Sequence, residues 1–273
     1  MIEPPAQTRS PVFLEDSSAA TYREIHLPRV FAPWAAILLE IVPTLPGDSV
    51  LDVATGPGTV ALRAARLAGP HGRVVGVDFS SAMLRIARAW PAEPGAAPIE
   101  YIESSAMSMP LPDATFDVAY CQQGLQHMSD PRAALREMRR LLKVDGRIGV
   151  ATWQRSPFGL FREVVARMGY SAPGVQSSSF GRDASELVST LRDIGFKDIE
   201  LETRELTAVL EGGIPQALEL AVATSAAAGM EAAPADRQQA LRAAIADALQ
   251  PFLKDGAVEL LSIAHICRAT AAS

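Results

Sequence analysis

Cysteine is nearly absent: Cys121 and Cys267 are the only two in 273 residues, and neither has a second Cys or a His at metal-ligand spacing. That excludes a disulfide scaffold and a Cys-based metal centre, so both read as reduced, buried thiols. Basic runs are missing too. With a formal charge of -6 and no Arg/Lys stripe, the chain lacks the footprint that neutralises a nucleic-acid backbone, and no nucleic-acid partner is expected. No uninterrupted apolar stretch reaches the roughly 18 residues of a membrane span, and Met1 to Pro5 carries neither the basic nor the apolar region of a signal peptide. The expectation is a cytoplasmic protein with no membrane span. No repeat or low-complexity tract stands out beyond an alanine bias.

What is present is ordinary for a globular protein: 48% apolar and 21% charged residues, enough to bury roughly three quarters of the surface of the unfolded chain. A Pro- and Ser-rich lead-in of about 20 residues precedes helical spacing from Ala19 to Val42, interrupted by Pro28 and Pro33, which suggests two or three short helices packed as a cap. After residue 48 short apolar runs alternate with helical segments, the signature of a parallel sheet covered on both faces. Strands are expected at Ser49 to Ala54, Arg73 to Asp78, Ile99 to Glu103, Asp117 to Cys121 and Arg147 to Trp153. Helices are expected at Thr59 to Leu67, Ser81 to Ala89, Pro131 to Leu142 and Ala184 to Ile194, with Asp130 and Gly195 as caps and a turn at Asp145-Gly146. An alternating strand at Asp198 to Val209, an Ala-rich helical insertion at 214–253 and a last strand at Val258 to Ala269, returning to the sheet edge, complete the chain.

The strongest local signal is Val50-Leu51-Asp52-Val53-Ala54-Thr55-Gly56-Pro57-Gly58-Thr59-Val60-Ala61. It is a strand entering a glycine turn that opens a helix, where a ligand can approach the backbone and the turn's N–H groups can face it. Gly56, Gly58 and Ala61 also satisfy the loose pattern of dinucleotide binders, which keeps a NAD-dependent oxidoreductase open. Asp78 ends the second strand about 20 residues on, placed to accept hydrogen bonds from two ribose hydroxyls in either ligand class; its structural alternative is to cap the next helix, a task Ser80 can perform. Asp52 separates the two classes, because a carboxylate inside a strand is costly unless a ligand or the loop amides satisfy it. No Tyr-x-x-x-Lys or similar hydride-transfer set accompanies the turn.

Further blocks follow in order: Ser104-Ser105-Ala106 and Met109-Pro110-Leu111-Pro112-Asp113-Ala114-Thr115-Phe116-Asp117, then Leu125-Gln126-His127-Met128-Ser129-Asp130-Pro131, then Leu135-Arg136-Glu137-Met138-Arg139-Arg140-Leu141-Leu142. Over residues 48 to 153 the series resembles the class I S-adenosylmethionine methyltransferases of the UbiE-like group, and Tyr22 through Leu39 resembles their capping segment. The resemblance implies a Rossmann-like α/β fold with a seven-stranded sheet, its last strand antiparallel, with helices on both faces and a helical cap. The division expected is 1–46 as lead-in and cap and 47–273 as core, with cap insertions at about 154–180 and 214–253. It implies S-adenosylmethionine as cofactor, S-adenosylhomocysteine as product, and a small-molecule acceptor of quinone, phenol, indole or other secondary-metabolite type.

By the same resemblance, Asp52 and the Gly56 to Gly58 turn, with Ala54 where Gly is commonest, hold the methionine end of the cofactor. Asp78 takes its ribose, Phe79 and Met83 flank its adenine, and Ser105-Ala106 meets the adenine amino group. Ser105 stands where the family carries Asp, which lowers the expected cofactor affinity. Tyr22 joins the cofactor set, and Gln122 offers a backbone carbonyl to the methionine ammonium. His127 and Gln126 are the catalytic candidates, to orient or deprotonate the acceptor, with a structural His127 equally open. Trp153, Phe158, Phe161, Met168 and Tyr170 line a pocket, build core, or both. A methyltransferase-fold protein that does not transfer methyl is the alternative function, and a homodimer is possible.

Overall fold

The computed structural model describes residues 28–91, 93–170, 179–222, 230 and 233–272. Eight strands, β1 (Ser49–Val53), β2 (Arg73–Asp78), β3 (Ile99–Glu103), β4 (Phe116–Gln122), β5 (Leu142–Arg155), β6 (Phe196–Leu210), β7 (Leu253–Lys254) and β8 (Ala257–Ala271), form one sheet in the order β3-β2-β1-β4-β5-β8-β6, with β7 paired to β8. β1 to β5 run parallel, and β8 is antiparallel to both β5 and β6. This is the Rossmann-like arrangement expected, with an antiparallel last strand.

The place of that strand is not the one expected. β8 lies between β5 and β6, and β6 takes the edge. Side chains explain the exchange. β8 buries Val258, Leu260, Ala264, Ile266, Cys267 and Ala269 on both faces, whereas β6 exposes Lys197, Asp198, Glu200, Glu202, Arg204 and Glu205, the charged coat that keeps an edge strand from pairing further.

Helices α1 (Ala32–Ile41) and α2 (Thr59–Ala68) cover one face, and α4 (Pro131–Leu141) and α6 (Ala184–Ile194) the other; α3 (Ser81–Arg88) follows β2. In α2, Val60, Ala61, Ala64, Ala65 and Ala68 share the buried stripe at i, i+4 spacing, and small residues let the helix lie close to β1. In α4, Asp130 caps by accepting from Ala133 N at 2.9 Å, Pro131 occupies the first turn, and Ala134, Leu135, Met138 and Leu141 are buried. The Asp145 turn survives inside β5 as an irregularity: Leu142 pairs with Phe116 and Arg147 with Val118, while Asp145 takes φ +60°.

α1 is not a lid in its described length. Trp34, Ala35, Leu38 and Leu39 pack on the sheet beside α2, and the Trp34 indole meets Trp153 edge-on at 5.5 Å. The insertions do meet. α5 (Gly159–Arg167), α7 (Gly213–Val222) and α8 (Ala235–Leu249) share a separate core of Phe161, Val164, Leu220, Leu241 and Ile245 with the ends of β6 and β8. This helical layer stands beyond the carboxyl ends of β5 and β6, on the side where the β1 and β2 loops open.

Candidate functional site

β1 delivers Asp52 to the carboxyl edge of the sheet with 1% of its surface exposed. Its Oδ2 accepts from the Thr55 hydroxyl at 2.6 Å and from Ala61 N at 3.0 Å. Burial, reinforced by the Asp78 charge and opposed by these two bonds, pushes its pKa up to about 7. β2 delivers Asp78 next to it: Oδ2 accepts from Gly56 N at 2.8 Å and Oδ1 from Ser80 N at 2.9 Å. Burial raises this carboxyl as well, against the pull of the Ser80, Gly56 and Phe79 amides. The helix cap itself is Ser80, whose Oγ accepts from Met83 N at 3.3 Å. Asp78 is therefore not the cap of α3; it joins the two loops.

These bonds correct one expectation. The Gly56 amide is spent on Asp78, the Gly58 amide on the Thr55 carbonyl and the Ala61 amide on Asp52. The glycine turn is thus held from within by two carboxylates, rather than presenting those N–H groups to a ligand. Gly56 and Gly58 adopt φ +54° and +88°, and Ala54 takes φ +56° where glycine would be unstrained.

Tyr101 of β3 escaped the sequence reading. A Cβ on Gly58 would lie 2.5 Å from its hydroxyl, and one on Gly76 would lie 2.8 Å from its ring. The phenol therefore fills the hollow left by two glycines beneath the turn. Its buried hydroxyl has no hydrogen-bond partner among the described residues, and burial, then the Asp52 charge, raises its pKa. A glycine inside the β2 run was the available signal, since it marks close approach of a neighbour.

The turn after β3 carries Ser105, whose Oγ accepts from Met107 N at 3.2 Å, beside half-buried Ala106. Phe79 is exposed and Met83 buried, so the two differ in access. Tyr22 lies outside the described residues.

After β4 the chain crosses the same edge. Gln122 Nε2 donates to the Phe31 carbonyl at 3.0 Å, while its Oε1 is buried with no partner among the described residues. Gln123, at φ +49° and 4% exposed, likewise has both amide atoms without a partner among them. Gln126 Oε1 accepts from Trp153 N at 3.2 Å, which fastens the 3-10 turn Leu125–His127 to β5. The acceptor half of its amide is engaged in structure, which narrows Gln126 toward positioning. His127 is exposed on this turn, and desolvation by the neighbouring protein, then the Arg162 guanidinium, lower its pKa, to about 4. The ordinary pKa near 6.5 expected of it is not retained, and a neutral ring of such low basicity suits hydrogen bonding better than proton abstraction.

The aromatic group splits. Trp153 belongs to the sheet core, Phe158 lies 6.1 Å from Phe31, and Phe161 is enclosed by the helical layer with Met168 and Tyr170 at its margin. Among the described residues no group of three or more His, Cys, Asp or Glu could hold a metal, and no helix is long and apolar enough to cross a membrane.

The profile of the ubiE/COQ5 methyltransferase family matches residues 27–170. The ubiquinone/menaquinone biosynthesis C-methyltransferase UbiE of Teredinibacter turnerae is 30% identical over 152 residues, 55% of this chain and 61% of that protein. The chain thus spans about three fifths of the length of that relative. Among solved structures, phosphoethanolamine N-methyltransferase 2 of Haemonchus contortus, in complex with phosphomonomethylethanolamine and S-adenosylhomocysteine, is 19% identical with a TM-score of 0.58, over 94% of this chain and 58% of that one. The [4+2]-cyclase SpnF is 26% identical with a TM-score of 0.55, over 89% and 81%.

Proposed function

This chain belongs to the ubiE/COQ5 methyltransferase family, and from that premise we propose that it transfers a methyl group from S-adenosylmethionine to a small-molecule acceptor of the quinone, phenol or indole type. One observation carries the reading: two buried carboxylates, Asp52 and Asp78, face the glycine turn at the carboxyl ends of adjacent strands, and neither forms an ion pair among the described residues.

The residues present fit that cofactor. The Asp78 carboxylate, with about four lone-pair sites, accepts from Gly56 N on Oδ2 and Ser80 N on Oδ1 with the Phe79 amide beside them, so it retains capacity for a ribose hydroxyl. Asp52, pushed up to about 7 by burial, is completed by a positive group such as the methionine ammonium. The orphaned Gln122 Oε1 and the Gln123 amide supply further polar contacts at the β4 edge. Phe79, Met83, Ser105 and Ala106 border the adenine end, as the family pattern implies, with Tyr22 completing the set. When bound, the cofactor supplies an electrophilic methyl on a sulfonium.

The chain's own task is then positioning and exclusion of water. The turn after β4 sets Gln123, Gln126 and His127 between the cofactor loops and the helical layer of α5, α7 and α8, which closes the acceptor off from solvent. His127, neutral at pH 7, orients an acceptor hydroxyl by hydrogen bonding, with Gln126 holding the turn to β5. A second reading, a methyltransferase-fold protein that is a non-methylating catalyst or binding protein, is favoured by the likeness to the [4+2]-cyclase SpnF, 26% identical over 89% of this chain.

Calorimetric titration with S-adenosylmethionine and S-adenosylhomocysteine tests the first step, with Asp78→Ala and Asp78→Asn as controls. Saturable binding that Asp78→Ala abolishes supports the site, and S-adenosylhomocysteine formation on adding an acceptor distinguishes methyl transfer from the non-methylating alternative. A folded protein that binds neither ligand overturns the proposal.

A further inference from the structure

Tyr101, Gly76 and Asp52 are in-register neighbours on β3, β2 and β1, so the three positions turn the same face of the sheet, the one that α2 covers. Gly76 puts no side chain between the other two, and the Tyr101 ring takes that place. A Cβ on Gly76 would lie 2.8 Å and 2.9 Å from Tyr101 Cδ1 and Cε1, and 3.0 Å from Thr55 Oγ1, the hydroxyl that donates to Asp52. The phenol thus lies across β2 toward the β1 carboxylate, with its own hydroxyl beneath Gly58, where a Cβ would be 2.5 Å away.

The hydroxyl is buried with no hydrogen-bond partner among the described residues. Two carbonyls of the turn above it are engaged elsewhere: that of Thr55 accepts from Gly58 N at 2.9 Å, and that of Pro57 from Trp90 Nε1 at 3.1 Å. Arg88 donates to the Tyr101 carbonyl at 2.8 Å and so ties the strand to the end of α3. A buried hydroxyl left unpaired costs stability, and a phenylalanine would fill the same hollow without that cost. A state in which the hydroxyl is paired accounts for its presence. Asp52 is the acceptor in line with it. Both bonds to that carboxylate, from Thr55 Oγ1 and Ala61 N, fall on Oδ2, and Oδ1 accepts none among the described residues. After burial, the Asp52 charge is the larger influence that keeps the proton on the phenol, and hence keeps the phenol a donor.

We propose that Tyr101 is a positioning residue of the cofactor site: with Asp52 ionised opposite the cofactor's methionine ammonium, the Tyr101 hydroxyl donates to the Asp52 carboxylate across Gly76 and fixes its orientation. The proposal rests on the reading of Asp52 as the residue that meets the methionine end. In the free protein, burial holds the Asp52 carboxyl up at about 7, where much of it is protonated and a weak acceptor. A cation beside it favours the charged form, and a hydrogen bond to a charged carboxylate is the stronger kind.

Wild type, Tyr101→Phe, Asp52→Asn and the double variant are titrated with S-adenosylmethionine and S-adenosylhomocysteine by calorimetry, and each is unfolded in urea without ligand. Tyr101→Phe is expected to bind both ligands about tenfold more weakly, the range of a hydrogen bond to a charged group, while the urea midpoint of the free protein stays level or rises. In the Asp52→Asn background the same change should alter affinity by less than about twofold. The Cζ NMR signal of isotope-labelled Tyr101, identified by its loss in Tyr101→Phe, should move when S-adenosylhomocysteine binds to wild type. Equal affinity of Tyr101→Phe and wild type, or an unmoved Cζ signal, overturns the role of Tyr101 and leaves the cofactor reading standing. A free Tyr101→Phe protein destabilised by as much as its affinity falls shows a hydroxyl already paired, and an undiminished loss in the Asp52→Asn background shows a different acceptor; either also overturns the proposal. A folded wild type that binds neither ligand overturns the cofactor reading and the role of Tyr101 together.

Discussion

A Cβ placed on Gly124 would sit 2.6 Å from the Cβ of Ala54 and 2.9 Å from Cys121 Sγ. The loop after β1 and the turn after β4 thus touch with one Cβ between them, and that Cβ belongs to Ala54, at φ +56°. Ala54→Gly is expected to stabilise the protein by about 1 kcal/mol through relief of the left-handed backbone. Gly124→Ala is expected to cost about 1–3 kcal/mol through overpacking. The double variant should recover part of that loss, because one of the two clashing groups is gone, and urea unfolding of the four proteins measures the coupling.

Asp52 makes the free protein less stable as pH rises. Its folded pKa of about 7 lies above the reference 3.8, so the native state holds a proton that the unfolded state has released. The stabilisation is complete below about pH 4 and is lost through pH 7, on the order of 4 kcal/mol at about 1.4 per pKa unit. Asp78 is shifted in the same direction. The difference in urea midpoint between wild type and Asp52→Asn should change steadily from pH 4 to pH 7.5; a constant difference would show that Asp52 titrates normally.

His127, pushed down to about 4, should be neutral throughout pH 5 to 8 in the free protein. NMR titration of its ring should show no midpoint near 6.5, and the pH profile of turnover should carry no inflection from it. His127→Gln, which keeps a hydrogen-bonding side chain, should retain more turnover than His127→Ala.

Trp34 Nε1 donates to Ser262 Oγ at 3.1 Å, and Ser262 donates onward to the Leu206 carbonyl at 2.9 Å. Ser262→Ala strands a buried indole N–H, with an expected loss of about 1–3 kcal/mol. A lowered thermal midpoint with unchanged S-adenosylhomocysteine affinity is the outcome that fits, since this chain joins α1 to β8 away from the glycine turn.

Arg140 ties the β3–β4 loop to α4: it donates to the Met109 and Leu111 carbonyls, at 3.0 and 2.9 Å, to Glu137 at 2.7 and 2.9 Å, and to Asp113. A lysine ammonium cannot span this set. Arg140→Lys should lose about 1–3 kcal/mol and weaken cofactor binding through the loop that carries Ser105, read by unfolding and calorimetry in parallel.

The β1–turn–α2–β2 unit was legible because local rules suffice there: a buried apolar run, glycines at positive φ, and an acid ending the next strand. Asp78 was singled out correctly as a residue of consequence, yet its hold on the Gly56 amide crosses 22 residues of sequence, which no local pattern records. The burial of Gln123 and the seating of Tyr101 depend on which strands become neighbours, which the local sequence does not state. The edge position given to β8 was wrong for a reason the residues did contain: its apolar positions occupy both faces, while the charges of β6 mark the true edge.

The pairing of β6 has a consequence for biosynthesis. Its partner among the described residues is β8, which is translated more than 45 residues after the end of β6. A ribosome emitting this chain therefore presents a 15-residue strand without its partner while the helical layer is still being made. The parallel strands can assemble early, but the far edge of the sheet must wait. The charged side chains of β6 protect it during that interval as they do afterwards, by making a solitary strand a poor template for another chain.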